Sequence, residues 1–378
     1  MGYILTEEGY SLINLVRHFC EKEVKENCKE YDVIGEVPMD TIRKAAAMQL
    51  HILDMPVEYG GVGLDLITSA AMMEEMAYAD AGFSCTMNCP SLAFKPVLKA
   101  GTPEQIRQFA DVITAGGWAS FAMTEPNSGS DAAAMRTTAV RDGDDYIING
   151  AKCFITCGGI SSIYVVFAMT DKTKGAKGIS AFIVPRDTPG LSTGKHEDKM
   201  GIRTCNTADV VFNDVRVPAS SMLGPEGAGF KIAMQALDQG RPFVAAQALG
   251  IARRALDEAV SYAKERVTFG KPIIKHQALQ FKLAEMDMKI EAARQIMIHC
   301  LQLEQMGRPF GREAAIAKCY ATDVAMEVTT EAVQVLGGYG YSREYPVEKL
   351  MRDAKIYQIF EGTNEIQKIV IGGYLAKK

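Results

Sequence analysis

The sequence of 378 residues lacks most of the patterns that would assign it to a common class of binding protein or hydrolase. It holds one tryptophan and five histidines, and no histidine adjoins its closely spaced cysteine pairs. The pairs, Cys85 with Cys89 and Cys153 with Cys157, have a four-residue spacing that places two sulfurs on one helix face, where we expect small buried side chains and no metal. No segment approaches the roughly 18 consecutive apolar residues of a membrane-spanning helix.

Nucleotide and hydrolase signatures are also missing. No complete GxGxxG follows a strand, and GxxxxGK[ST], GxSxG and HExxH do not occur, which argues against a nicotinamide Rossmann site, a P-loop and ordinary hydrolase sites. A net charge of −5 without a basic cluster argues against a nucleic-acid partner. Glu7 and Glu8 stand where a secretory leader carries basic residues, and nine cysteines fit a reducing compartment. We expect a bacterial cytoplasmic protein without a membrane partner.

What is present is a globular composition, with 48% apolar and 23% charged residues. From residue 5 to about 115, apolar residues recur at three- and four-residue spacing, which indicates helices. Thr102-Pro103-Glu104-Gln105 reads as a helix start with a capping box. Between about 119 and 225, short β-rich runs alternate with turn residues, and Asp142-Gly143-Asp144-Asp145 marks a hairpin turn. The connections are too short for crossover helices, which favours an antiparallel barrel or sandwich.

The helical period returns at Gly229 in four long segments, which predicts a four-helix bundle. Pro242 lies in the first segment and predicts a kink that either opens a pocket or is a harmless bend. The four predicted helices are 229–265, 275–307, 312–336 and 345–375. The fold class is therefore α+β, with an N-terminal α-helical domain at 1–118, a middle antiparallel β domain at 119–228 and a C-terminal four-helix bundle at 229–378.

Three segments combine glycine, hydroxyls and single charges in otherwise apolar chain. Phe121–Asp131 is either a polar ligand-binding loop or a plain interdomain linker. Gln334–Tyr341 has paired glycines, which serve as a helix stop or let backbone approach a phosphate. In Ile359–Ile366, Glu361 is either a solvated loop residue or a poorly solvated carboxylate whose raised pKa makes it a base toward a carbon acid.

These segments resemble the acyl-CoA dehydrogenases, flavoproteins that desaturate acyl-CoA thioesters between the α and β carbons. The resemblance covers essentially the whole chain, because several long motifs occur in the right order. They are Thr-Glu-Pro-Asn-Ser-Gly-Ser-Asp at 124–131, Glu-Arg-Val-Thr-Phe-Gly-Lys at 265–271, Gln-Val-Leu-Gly-Gly-Tyr-Gly-Tyr at 334–341, Met-Arg-Asp-Ala-Lys at 351–355 and Glu-Gly-Thr-Asn-Glu-Ile-Gln at 361–367.

The resemblance implies FAD as cofactor. Thr124 would bond the pyrimidine edge of the flavin, and Phe154 stands where many relatives have tryptophan. The flavin would lie between one stretch, Phe121, Met123, Thr124, Gly129 and Ser130, and another, Phe154, Ile155 and Thr156. A neighbouring subunit would reach the ADP half with Arg266 and Gln277, which implies an oligomer, in the family usually a homotetramer built as a dimer of dimers. The remaining cofactor contacts would come from Phe269, Gln334, Val335, Gly337, Gly338, Thr363 and Glu365.

Glu361 aligns with the catalytic base of the short- and medium-chain members. Some relatives place the base before the arginine that is Arg241 here, but the residue at that place is Gly240, which cannot remove a proton. Phe360 replaces the tyrosine that usually precedes the base. The resemblance assigns polarisation of the thioester carbonyl to the Glu361 N–H and a ribityl hydroxyl. Residues contacting the CoA arm or the thioester would be Ser130, Asp238, Arg241 and Gly362.

We therefore expect an FAD-dependent acyl-CoA dehydrogenase for short to medium chains that exchanges electrons with an electron-transferring flavoprotein. The same site working in reverse makes an enoyl-CoA reductase a close alternative. Further alternatives are an acyl-CoA oxidase-like enzyme that passes electrons to oxygen, and a non-catalytic acyl-CoA-binding scaffold that has kept the fold.

Overall fold

Six α-helices form the N-terminal part of the chain in the computed structural model, which describes residues 2–377. A π-helical turn, Cys20–Val24, separates the first two. The predicted capping box is confirmed, because Thr102 Oγ1 accepts from the Gln105 N–H and the Gln105 side chain accepts from the Thr102 N–H. The helices are α1 Glu7–Phe19, α2 Lys25–Ile34, α3 Met39–Ala47, α4 Leu66–Ala79, α5 Ala81–Ala100 and α6 Pro103–Thr114.

A sheet of eight strands follows. Its strands are β1 Ala119–Ala122, β2 Thr138–Asp142, β3 Asp145–Thr156, β4 Ile163–Met169, β5 Ile179–Pro185, β6 Leu191–Thr193, β7 Thr207–Pro218 and β8 Met222–Leu223. They run in the order β6-β7-β3-β2-β4-β5-β8, with β1 paired to β4. The predicted turn at 142–145 joins β2 to β3.

The antiparallel prediction is wrong for two strand pairs. β1 lies parallel to β4, and β2 meets β4 in parallel at the single pair Thr138 and Met169. Parallel neighbours need a long connection, and the chain between β1 and β4 supplies one through the β2–β3 hairpin. Cys153 and Cys157 accordingly lie in β3 and just after it, so their spacing does not place them on a helix face as expected.

Strand β4 is buried on both faces, which positions the sheet against the helices. Ile163, Val165 and Phe167 pack in one core with residues of α5 and α6. Tyr164 and Val166, which point to the opposite face, pack in a second core formed by the sheet strands. A continuous apolar run is the expected sequence of such a strand.

Long helices return after the sheet, with a correction to the predicted fourth helix. They are α7 Gly229–Glu265, α8 Gln277–Gln305, α9 Gly311–Leu336, α10 Val347–Tyr357 and α11 Asn364–Leu375, and a small hairpin, β9 Val267–Thr268 with β10 Lys271–Pro272, lies between α7 and α8. The segment predicted as one helix at 345–375 is two, because Glu361 and Gly362 have φ of 53° and 91°, which no α-helix accommodates. Helix α7 continues through Pro242.

The predicted α+β class is confirmed, with a helical first part, a β middle part and a helical last part. Helix gives way to strand between Thr114 and Ala119, and strand to helix between Leu223 and Gly229. We keep the division at 118 and 228 as a proposal. Within residues 2–377, no helix combines the length and apolar character that crossing a bilayer takes.

Asp80 joins the three parts of the molecule. Its Oδ1 caps the N-terminus of α5 by accepting from the Phe83 N–H at 2.7 Å, and accepts from Thr204 Oγ1 at 2.6 Å. Its Oδ2 lies 2.7 Å from Lys349 Nζ on α10, and Lys349 also pairs with Asp353. Asp80 is buried, so these bonds replace all of its contact with water.

Replacing Asp80 tests this junction. Asp80→Ala removes a helix cap and leaves Lys349 with one carboxylate in place of two, which we expect to cost about 3 kcal/mol in unfolding free energy. Asp65→Ala is the matched control, because Asp65 is an exposed cap of α4 that accepts from Ile67 and Thr68, and its loss should cost about 1 kcal/mol. Urea unfolding of the full-length protein measures both free energies, and equal losses would contradict a special role of Asp80 at the junction.

Candidate active site

A cavity of about 380 Å³ lies between α5, α7, the sheet and the loop that joins α10 to α11. The structure brings together here the two flavin stretches and most of the substrate site predicted from the resemblance. The predicted residues that line it are Phe121, Met123, Thr124, Gly129, Ser130, Phe154, Ile155, Thr156, Arg241, Glu361 and Gly362.

Glu361 lies in the loop between α10 and α11, with its carboxylate in the cavity wall. Its Oε2 is buried and has no hydrogen-bond partner within residues 2–377. Burial raises the pKa of Glu361 to about 7, although the charges of Lys318, Arg241 and Lys95 oppose this. The sequence hypothesis of a poorly solvated carboxylate is thus supported over that of a solvated loop residue. A pKa near neutrality suits a group that accepts a proton and later releases it.

Lys318 holds this loop in place through hydrogen bonds, a role that the sequence patterns did not reveal. Its side chain is 0% exposed, and Nζ lies 2.9 Å from Gly362 O and 2.9 Å from Asn364 Oδ1. Asn364 Nδ2 in turn donates to Thr322 Oγ1 at 2.9 Å. Burial lowers the pKa of Lys318 to about 8, although nearby Glu361 acts to raise it. A fixed cation therefore lies directly behind the loop that presents the carboxylate.

Gly240 on α7 faces the same carboxylate. A Cβ placed on Gly240 would lie 2.7 Å from Glu361 Oε2 and 3.0 Å from Leu92 Cδ1, so the missing side chain leaves the room that Glu361 occupies. The next residue, Arg241, pairs with Asp238, and its buried Nε has no partner within residues 2–377. The space beside this part of α7 thus comes from a glycine and does not require an interruption of the helix at Pro242.

A buried ion pair, which sequence reasoning also missed, connects the two predicted flavin stretches. Lys152 Nζ lies 2.7 Å from Glu125 Oε1 and 3.0 Å from Met123 O, and Lys152 is 0% exposed. The Cys153 N–H donates to Thr124 O at 2.9 Å. These contacts join the loop after β1 to β3 and thereby connect the two walls of the cleft. Glu125 lies inside the recognised motif, but its partner is distant in sequence.

The cleft suits a planar ligand with apolar faces and a polar edge. The hydroxyls of Thr124, Ser130 and Thr156 line it, and none has a hydrogen-bond partner among residues 2–377. Phe154 presents its ring at 66% exposure and has φ of 55°, a region that a non-glycine residue rarely adopts. Free hydroxyls beside an exposed aromatic face match the needs of an isoalloxazine ring, so the residues present fit FAD.

A second cavity, of about 660 Å³, holds the other group of predicted cofactor residues. Arg266, Val335, Gly337 and Gly338 line it, and no residue lines both cavities. The Arg266 guanidinium lies 5.7 Å from the centre of the Tyr339 ring. The Gln334–Gly338 segment therefore accompanies Arg266 and lies apart from the flavin stretches of the same chain.

Five predicted cofactor residues line neither cavity, and neither does Asp238 of the predicted substrate site. Thr363 caps α11 through its Oγ1, and Glu365 is exposed in the first turn of that helix. Phe269 is 96% exposed with φ of 49°, which leaves its ring free for a partner. The other two are Gln277, the first residue of α8, and Gln334, near the end of α9.

Known proteins match this chain along its length. Family models described as acyl-CoA dehydrogenase N-terminal, middle and C-terminal domains match residues 6–117, 120–215 and 227–375. A short-chain specific acyl-CoA dehydrogenase of Megasphaera elsdenii is 48% identical over 100% of both chains. The butyryl-CoA dehydrogenase structure from that organism has a TM-score of 0.96 at 48% identity and 100% coverage of both chains.

A further structural neighbour comes from work on the electron transferring flavoprotein of Acidaminococcus fermentans and flavin-based electron bifurcation. It has a TM-score of 0.97 at 47% identity and covers 100% of both chains.

The fold, the cleft and these matches define a flavin-dependent oxidoreductase whose cofactor is FAD. The chain belongs to the acyl-CoA dehydrogenase family. The resemblance, the enzyme class and the cofactor predicted from the sequence are thereby confirmed.

Lys318→Met tests the anchoring lysine. Losing the buried cation should raise the pKa of Glu361 further. The acid limb of the plot of kcat/KM against pH should then move upward from about pH 7. A loss of about 1.4 kcal/mol of interaction would move it by roughly one pH unit. The measurement is acyl-CoA turnover against pH in FAD-saturated enzyme. Lys289→Met removes a surface lysine paired with Glu327 and should leave the limb in place. An unmoved limb in Lys318→Met would show that the lysine does not influence the base.

Proposed function

We propose that this enzyme desaturates short-chain acyl-CoA thioesters between C-2 and C-3 and passes the electrons to an electron-transferring flavoprotein. One observation carries the proposal. Glu361 combines a buried, unpartnered carboxylate oxygen with a backbone N–H that has no acceptor among residues 2–377, and both belong to the wall of the flavin cavity. A base and an oxyanion donor on one residue are the two groups that removal of an α-proton requires.

The protein's part in the reaction is to polarise, orient and deprotonate. The Glu361 N–H would donate to the thioester carbonyl oxygen, which acidifies the α-carbon, and the Glu361 carboxylate would then take the α-proton. Ser130, Arg241 and Gly362 line the same cavity and would orient the thioester and the CoA arm. FAD, when bound, supplies the acceptor for the hydride from the β-carbon.

Substrate class and electron partner rest on relatives. The Megasphaera elsdenii relatives carry the names short-chain specific acyl-CoA dehydrogenase and butyryl-CoA dehydrogenase. The matching Acidaminococcus fermentans structure comes from work on an electron transferring flavoprotein. At 47–48% identity over the whole chain, these enzymes support the same reaction class and the same kind of partner here.

The two separate cavities support a proposal about assembly. One holds the flavin stretches and Glu361, and the other holds Arg266 with Gly337 and Gly338, glycines that permit close approach of a phosphate. We infer that FAD joins the first cavity of one subunit to the second cavity of another, within a homotetramer built from two such dimers.

Glu361→Gln tests the catalytic base. The amide cannot take the α-proton, so acyl-CoA should no longer bleach the flavin absorbance under anaerobic conditions, while FAD stays bound. The wild-type kcat/KM should fall as pH drops below about 7, because the carboxylate is then protonated. Glu36→Gln, at an exposed site, is the control and should bleach normally.

Other outcomes would overturn parts of the proposal. Full bleaching of the flavin by acyl-CoA in Glu361→Gln would contradict the assignment of Glu361 as the catalytic base. Rapid peroxide formation in air would indicate an oxidase, and reoxidation of reduced enzyme by enoyl-CoA faster than desaturation would indicate a reductase. Colourless enzyme that cannot take up FAD would indicate a scaffold.

Hybrid oligomers test the shared cofactor. Arg266→Ala should weaken FAD binding in the neighbouring subunit, and Glu361→Gln should inactivate its own subunit. In a hybrid dimer, one of the two sites then has an intact Glu361 and the partner's intact arginine. Random pairing on coexpression makes about half of the dimers hybrid, so about a quarter of all sites should be active at limiting FAD. Mixtures of the separately purified variants are the control. A coexpressed preparation no more active than that mixture would contradict a shared site.

A further inference from the structure

Asn88 presents an unused amide to the active-site cavity. It lies on α5, four residues before Leu92, and lines the cavity. Its side chain is 6% exposed, and it makes no hydrogen bond with any other residue of the described chain, 2–377. Its polar atoms are open to the cavity, and a substrate chain that displaces water from them leaves the amide unpaired unless the chain supplies a polar group.

The packing of α5 on α7 fixes how deep Asn88 lies. Near Glu361, Gly240 of α7 is adjacent to Leu92 of α5. Farther in, Gln247 Nε2 of α7 donates to Ser84 O of α5 at 3.1 Å, so the two helices run antiparallel along the cavity.

Four helical residues separate the level of Asn88 from that of Leu92, which is about 6 Å. An extended carbon chain advances roughly 1.2 Å per bond, and a hydrogen bond spans about 3 Å. With the α-carbon beside Glu361, an oxygen on about the fifth acyl carbon would therefore reach the Asn88 amide.

The inner end of the cavity is polar but uncharged. Cys85 and Asn88 line it from α5 and Gln247 from α7, and the Gln247 Oε1 receives no donor from residues 2–377. A hydrogen bond with the Cys205 thiol, together with burial, raises the pKa of Cys85, so the Cys85 thiol is neutral. A distal carboxylate would find no cation among these side chains, and a plain alkyl chain would leave the Asn88 amide unpaired.

We propose that the preferred substrate is an acyl-CoA whose chain carries an uncharged oxygen, a hydroxyl or keto group, at about the fifth carbon, where Asn88 binds it. The proposal rests on the proposed function and narrows its substrate class. Asn88 donates to either group through Nδ2 and accepts from a hydroxyl through Oδ1.

A substrate panel tests this with the FAD-loaded wild-type enzyme. The kcat/KM values of hexanoyl-CoA, 5-hydroxyhexanoyl-CoA, 5-oxohexanoyl-CoA and the dicarboxylic glutaryl-CoA are compared. We expect the hydroxy and oxo thioesters to exceed hexanoyl-CoA by about tenfold and glutaryl-CoA to be the poorest. If kcat/KM for the oxygenated chains equals that for hexanoyl-CoA or is lower, the proposal is overturned, and the Asn88 amide pairs with water and not with the substrate.

The variant Asn88→Leu assigns the preference to this residue. It should abolish the tenfold preference, measured as the ratio of kcat/KM for the oxygenated chains to kcat/KM for hexanoyl-CoA, because leucine neither donates nor accepts a hydrogen bond. Asn213→Leu, an exposed asparagine on β7, is the matched control and should keep the preference. A loss of FAD in Asn88→Leu, or an equal loss for both kinds of chain, would contradict the assignment. Failure of every acyl-CoA to bleach wild-type flavin would instead refute the proposed function.

Discussion

The bonds from Lys318 to the loop between α10 and α11 are the interaction on which the active site depends. Glu361 takes a positive φ, which costs a non-glycine residue about 1 kcal/mol or more unless its surroundings hold it. Lys318 supplies that hold through Gly362 O and Asn364 Oδ1. The same cation limits how far burial raises the pKa of Glu361, so one side chain sets both the position of the base and its readiness to ionise.

Neighbouring features follow from this constraint. The chain cannot remain helical through residues at positive φ, so the last helix is divided and Thr363 caps its second half. A carboxylate kept dry between two helices needs space, which Gly240 provides by having no side chain. The unpaired N–H of Glu361 is a further result. The Phe360 N–H still donates to Ile356 O, but the backbone leaves the helical path at Glu361, whose N–H therefore does not bond the Tyr357 carbonyl four residues back.

The sequence predicted those features that depend on local periodicity or on contiguous motifs. Helix periods, the Thr102 cap and the turn at 142–145 are local, and the recognised motifs are continuous runs, so each could be found without coordinates. The Lys318 contact with Gly362 and the Lys152 contact with Glu125 join residues distant in sequence, and neither lysine differs in pattern from a surface lysine. The divided helix could have been predicted, since Gly362 followed by Thr363 is a stop followed by a cap.

The two exposed aromatic rings favour the proposal that a second subunit completes the cofactor site. Phe154 and Phe269 both combine a positive φ with large exposure, so each has an unfavourable backbone conformation and an uncovered apolar surface. They belong to different groups of predicted cofactor residues, one beside the flavin stretches and one beside Arg266. A cofactor bound between two subunits, as proposed, would cover both rings and offset both costs at once. FAD binding and assembly should therefore stabilise each other.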